Sequence, residues 1–142
     1  MADKAQTTEF CHLTRLLLHA QQALSRETEE ALKTYGLSLA KYNILNALAE
    51  AGGRLPFSEL VEQLGCVRSN VTGLIDRLQE DNLVRRVDHP EDRRMLFAEL
   101  TPEGERLVSQ AEPCHAEAIA KILGKLSLKE RDELSALLER IV

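Results

Sequence analysis

The sequence predicts a mainly α-helical protein carrying one small β-hairpin. Three observations lead there. Leu and Ala dominate while aromatic residues make up only 4%, a composition that favours helix. Apolar residues recur at three- and four-residue steps through most of the chain. That rhythm lapses over "LVRRVDHPEDRRMLFAEL", where two short β-prone runs flank a polar tip. The 142 residues suit one domain, or one domain plus an extension, and can bury a sizeable core.

The elements follow in order. Phe10 to Tyr35 reads as a long helix with Leu13, Leu16, Leu17, Ala20, Ala23, Leu24, Ala31 and Leu32 at helical spacing, ended by Gly36. Ser38 caps a second helix through roughly Ala49, and Gly52–Gly53 breaks it. Pro56 opens a short third helix, "PFSELVEQLG", closed by Gly65. After a turn of about three residues, "RSNVTGLIDRLQED" forms a fourth, with Val71, Leu74, Ile75 and Leu78 inward. Asn82, which tolerates the left-handed conformation, ends it. "LVRRV" and "RMLFAEL" are the arms of the hairpin and "DHPED" its tip. Thr101 caps a fifth helix with Pro102 at its first position, running to about Gly124 with a kink expected at Pro113. "SLKE" at Ser127–Glu130 matches a capping box, and the last helix carries Leu134, Leu137, Leu138 and Ile141.

Helix, helix, short helix, tight turn, helix, hairpin and two more helices is the order of a winged helix-turn-helix with added terminal helices. In such a module the helix from about Arg68 enters the major groove of double-stranded DNA, and its first residues reach base edges. Arg68, Ser69, Asn70 and Thr72 are the candidate contacts, since Arg and Asn bond bidentately to guanine and adenine edges. Arg77 reaches a phosphate, or instead pairs with Asp81 four residues on or stabilises the hairpin wing. At the hairpin tip Asp92 and Arg94 are two apart and point the same way, so the carboxylate can hold a guanidinium aimed into a minor groove. Arg93 then faces elsewhere, toward a phosphate. The bland alternative is a solvated charged turn.

Bulk charge does not suggest this. The net charge is −5, with 18 basic and 23 acidic residues. Arg54 to Glu99 holds seven Arg against nine acids, so the middle has no basic surplus either. Any footprint for DNA must be local. The opening "MADKAQTTEF" has no apolar signal core, and no apolar run approaches about 18 residues, which leads us to expect a cytoplasmic protein with no membrane partner.

Three stretches carry a resemblance to a known family: "GLSLAKYNILNAL", "ELVEQLGCVRSNVTGLIDRLQEDNLVRRV" and "DHPEDRRMLFAELTPEGERL". They cover about half the chain and resemble the MarR family of transcriptional regulators. The family's pattern of hydrophobic-Arg strand, acidic tip, D-x-R and L-T-x-x-G is met by Arg86, Asp92, Arg94, Leu100, Thr101 and Gly104, which adds Arg86 to the candidate DNA contacts. The resemblance implies an obligate homodimer on a palindromic operator. It implies residues 1–36 as an N-terminal dimerisation helix, 37–101 as the DNA-binding module and 102–142 as C-terminal dimerisation helices, all intertwined as one domain. The chain departs from the pattern at Val67, where Ser or Asp usually caps the recognition helix. It also departs at Cys66 in place of a core Val, at Asn82 in place of Gly, and at Pro113.

The resemblance further implies a repressor released by a small molecule, often an aromatic acid, bound in a cleft between module and dimerisation helices. His12, Arg15, His19, Gln22 and Arg26 form a polar stripe that suits an anionic ligand, or is a plain solvated helix face. Tyr42 is a stacking wall or a core residue. Thiol sensing by Cys11, Cys66 or Cys114 is an alternative. Cys11 falls about one turn before the reactive position of peroxide-sensing members, without their tyrosines, and Cys66 reads more simply as a buried structural thiol. The repeated Cys11–His12 and Cys114–His115 pairs raise metal binding, but neighbours on a helix diverge by about 100°, and no metal or other cofactor is expected. With no nucleophile–base set and no phosphate-cradling loop, an enzyme is not expected. The remaining class is a protein-binding winged helix, which would not need an arginine at its tip.

Overall fold

A computed structural model describes residues 3–142. Its elements are α1 (Lys4–Leu32), a 3₁₀ turn (Lys33–Tyr35), α2 (Leu39–Glu50), β1 (Arg54–Pro56), α3 (Phe57–Leu64), α4 (Arg68–Glu80), β2 (Val84–Asp88), β3 (Leu96–Leu100), α5 (Pro102–Leu123) and α6 (Leu128–Glu139). The chain divides into two compact units. One is residues 32–113; the other is the stretch up to Ala31 together with Cys114–Val142.

Local chemistry sets the boundaries. Ser38 Oγ accepts the Lys41 amide and caps α2. Ser127 and Glu130 form both halves of a capping box at α6. Gly36 and Gly65 end their helices in the left-handed conformation, and Asn82 does the same at φ 58°. α1 begins six residues earlier than its apolar stripe suggests, because a polar stretch without Gly or Pro gives the helix no reason to stop.

Residues 32–113 enclose one core. Leu32, Ile44, Leu45 and Leu48 meet Leu60 of α3, Val71, Ile75 and Leu78 of α4, and Val84 and Ala98 of the sheet. The sheet corrects an expectation. It has three antiparallel strands in the order β1-β3-β2, not two, because Arg54–Pro56 pairs with the outer side of β3. The first half of α5 lies with the winged unit, and its Val108 and Ala111 are part of that core. Pro113 sits inside α5, where it has no amide to give the carbonyl of exposed Ser109.

In the other unit, Phe10, Leu13, Leu16, Leu17 and Leu18 of α1 are each about half exposed, and Leu128, Leu134, Leu137 and Ile141 at or beside α6 are exposed as well. Half-buried His115 of α5 is held below the ordinary histidine range by its burial. The unfolded chain therefore binds a proton that the folded chain resists. This contribution to stability is present above the ordinary imidazole range and is lost as pH falls through it. Urea melts between about pH 7.5 and pH 5 should show stability falling, and His115→Gln should flatten that slope. An unchanged slope would remove His115 as the cause.

Candidate nucleic-acid interface

Amphipathic α3 and α4 create the exposed face of the module. Phe57 and Leu60 bury one side of α3, the left-handed Gly65 turns the chain, and Val71, Ile75 and Leu78 bury one side of α4. The other side of α4 presents Arg68, Ser69, Asn70 and Arg77 to solvent. Thr72 is half-buried and its hydroxyl donates to the Arg68 carbonyl at 3.0 Å, so it is a less open contact than its neighbours. Val67 stands at the N-cap without a side-chain hydrogen bond. Arg77 does not pair with Asp81, which instead receives Lys41 Nζ at 2.9 Å.

The wing tip is a built turn. His89 N–H donates to the Met95 carbonyl at 3.2 Å and closes the hairpin; Met95 N–H donates to the Asp92 carbonyl at 3.0 Å. Asp92–Met95 is thus a β-turn with Arg93 and Arg94 at its two central positions. Asp92 Oδ1 accepts from the Arg94 backbone at 3.0 Å and from Arg94 Nε at 3.3 Å, which is the Asx arrangement. The expected Asp92–Arg94 pair is present, with the Arg94 side chain 93% exposed.

Other arginines are occupied by the protein itself. Arg85 and Arg54 flank Glu99 across the three strands, with Arg85 Nε at 2.8 Å and Arg54 at 3.7 Å. Arg86 lies on the opposite face, beside its register partner Ala98. Its guanidinium donates to Asp76 of α4 and sits over the Phe57 ring of α3, 5.7 Å from the centroid. Arg86 was expected to be a DNA contact; here it ties wing, α4 and α3 together. Period-2 alternation through "LVRRV" was the signal for this. Among the arginines of β1, α4 and the hairpin, Arg68, Arg77 and Arg93 have no carboxylate partner within the described residues, so those left over fall on the α4 face and the wing tip.

This geometry agrees with comparisons to known proteins. A model of the MarR family matches residues 35–95. The HTH-type transcriptional repressor YetL of Bacillus subtilis is 33% identical over 114 residues, covering 77% of this chain and 68% of that protein. The chain belongs to the MarR family. Members are transcriptional regulators, not enzymes, and this chain is a DNA-binding regulator of that kind. Another MarR-family relative, the homoprotocatechuate degradative operon repressor of Escherichia coli, is 29% identical over 92% of this chain and 87% of its own. Among solved structures, AbsC of Streptomyces coelicolor, a MarR family regulator, superposes with a TM-score of 0.87 at 28% identity, covering 99% of this chain and 94% of that one. Sco3205 from the same organism, solved with DNA, gives 0.87 at 25% identity over 99% and 91%. BpsR of Bordetella bronchiseptica, whose DNA binding is regulated by 6-hydroxynicotinic acid, gives 0.83 at 26% identity over 92% and 98%.

The sensor candidates of this MarR-family chain are less concentrated. His12, Arg15 and His19 are exposed on α1. Tyr42 is 2% exposed and belongs to the core, not to a stacking wall. Its burial, then Glu112 and Glu50, raise its phenol above the ordinary tyrosine value. Cys11 and Cys66 are exposed and Cys114 is half-buried. Exposure of Cys66 corrects the expectation of a buried thiol: it lies in the short turn before α4, and its Sγ donates to the Leu64 carbonyl at 3.4 Å. Among the described residues no group of three or more His, Cys, Asp or Glu could hold a metal ion, and no helix is long and apolar enough to cross a membrane.

Proposed function

We propose that this MarR-family regulator is a cytoplasmic homodimeric repressor that binds a palindromic operator and is released by a small aromatic acid. The observation carrying the DNA half is the placement of exposed guanidiniums: Arg68 and Arg77 on α4, and Arg93 with the Asp92-braced Arg94 at the wing tip. Arg68, Ser69 and Asn70 read bases in a major groove, with Thr72 beside them. Arg77 and Arg93 hold phosphates, and Arg94, steadied by Asp92, enters a minor groove. Phosphate at the uncapped start of α4 takes the place of a capping side chain. The dimer is supported by the exposed leucines of α1 and α6, an apolar area too large for a lone protomer in water. The ligand class is supported by BpsR and its hydroxynicotinic acid.

The test is fluorescence anisotropy with DNA from upstream of the protein's own gene, over a salt series. Binding should weaken steeply with salt. Arg94→Ala should cost about 1–3 kcal/mol with the dimer intact, while Arg68→Ala or Asn70→Ala should change which base pairs are preferred. Equal affinity of Arg94→Ala and wild type at fixed salt would end the minor-groove assignment. Salicylate-like acids should release the DNA from wild type and from a variant lacking all three cysteines. Release by peroxide alone, abolished in the cysteine-free variant, would assign the signal to Cys11, Cys66 or Cys114.

A further inference from the structure

We infer that His89 is the positioning residue of the wing: its imidazole caps the tip and so sets the direction of Arg93 and Arg94. The inference rests on the proposed contact between wing and DNA. His89 Nδ1 accepts two backbone amides, Glu91 N–H at 3.2 Å and Asp92 N–H at 3.1 Å. An imidazole that accepts at Nδ1 carries its proton on Nε2, so the tautomer follows from the geometry. Side-chain acceptance from the second and third following amides is the arrangement of a helix N-cap. "HPED" supplies it in sequence form. Pro90 has no amide to satisfy, so the first free donors of the turn are the two that His89 takes.

Two further contacts hold His89 itself. Its backbone amide closes the hairpin on Met95, and its ring stacks on Phe97 of β3, with centroids 5.5 Å apart and planes 22° from parallel. The Arg54 guanidinium also lies over Phe97, 5.3 Å from that ring's centroid. The rigid sheet thereby fixes the imidazole, the imidazole fixes the amide of Asp92, and Asp92 builds the turn that presents both arginines. Without the acceptor, Glu91 and Asp92 lose their side-chain partner, and the Asp92–Met95 turn is free to reorient. His89 acts through the arginines and not by contact with a base.

Three variants separate these parts. His89→Phe keeps a ring to stack on Phe97 but has no acceptor. His89→Asn keeps an acceptor without the ring. Arg93→Ala/Arg94→Ala removes what the tip delivers. With operator DNA at fixed salt, His89→Phe should bind roughly tenfold more weakly, and His89→Asn should recover most of that loss. In the background of Arg93→Ala/Arg94→Ala, His89→Phe should have no further effect, because residues acting as one unit are not additive. Nitrogen NMR of the free protein should show His89 protonated at Nε2 and bare at Nδ1.

A His89→Phe protein that binds like wild type overturns the inference, as does a full additional loss in the arginine-free background. A proton on Nδ1 overturns it without any DNA present. If Arg93→Ala/Arg94→Ala leaves affinity unchanged, the wing–DNA contact itself fails and the positioning role falls with it. The NMR result still reports whether the cap exists.

Discussion

Leu13→Asp in α1 or Leu134→Asp in α6 is expected to yield aggregated or unfolded protein rather than a folded monomer. In the lone chain Leu13 is 49% exposed and Leu134 37%. A charge at a solvent-facing position of a true monomer would change stability by only about ±0.5 kcal/mol. Within a homodimer interface the same charge loses an apolar side chain worth about 1.5–3 kcal/mol, in two copies, and has no partner for its carboxylate. The effect therefore depends almost wholly on whether a second chain covers this face. Deleting residues up to Leu18 should act alike, since obligate dimers lack a stable folded protomer. Sedimentation velocity with far-ultraviolet circular dichroism checks this. A monomeric, fully helical Leu13→Asp protein with an unchanged melting temperature would refute the dimer.

Gly104→Ala should be the most damaging single methyl group in the winged unit. A Cβ at Gly104 would lie well inside contact distance of the Leu83 carbonyl oxygen, and 3.2 Å from Leu100 Cδ2. The obstacle is main chain at the root of β2, where nothing rotates away. It is fixed again nearby: Thr101 Oγ1 donates to the Asn82 carbonyl at 2.7 Å and accepts the Gly104 amide at 3.1 Å, and Thr101 N–H donates to Leu83. The start of α5 thus rests directly on the start of the wing. Overpacking there should cost about 3 kcal/mol, or about 6–12 °C in melting temperature for a chain of this size. A melt within 2 °C or so of wild type would mean that the two segments separate more easily than these bonds imply.

Most helices were legible because their ends carry chemistry that acts over three or four residues. Ser38, Gly65, Asn82 and the Ser127–Glu130 box each do locally what the sequence suggests. β1 was not legible. Three residues ending in Pro56 have no detectable period, and their partner β3 lies far along the chain. The extent of the winged core was missed for a related reason: α5 runs unbroken from Pro102 to Leu123, so nothing local says that Val108 and Ala111 pack against the module. At the site, Asp92–Arg94 could be foreseen because both groups sit in one turn. Arg86 could have been separated from Arg85 by alternation, since only one of two neighbours on a strand can face the core. His89 was overlooked because imidazole is an uncommon cap. The Pro that follows it was the available clue.

The internal pairing of Arg54, Arg85 and Arg86 has a consequence for the search along a chromosome. Each chain carries a net charge of −5, and those three guanidiniums are matched by Glu99 and Asp76 before DNA arrives. A chain of net negative charge is expected to draw little on long-range attraction to a random stretch of duplex, so encounter should be steered less than for a basic regulator. Residence on non-cognate sequence should be short, and few molecules should be titrated away by the great excess of competing sites. Occupancy of the operator then depends on fit at a handful of side chains. A protein with this charge pattern is expected to give up speed of association in exchange for fewer wasted encounters.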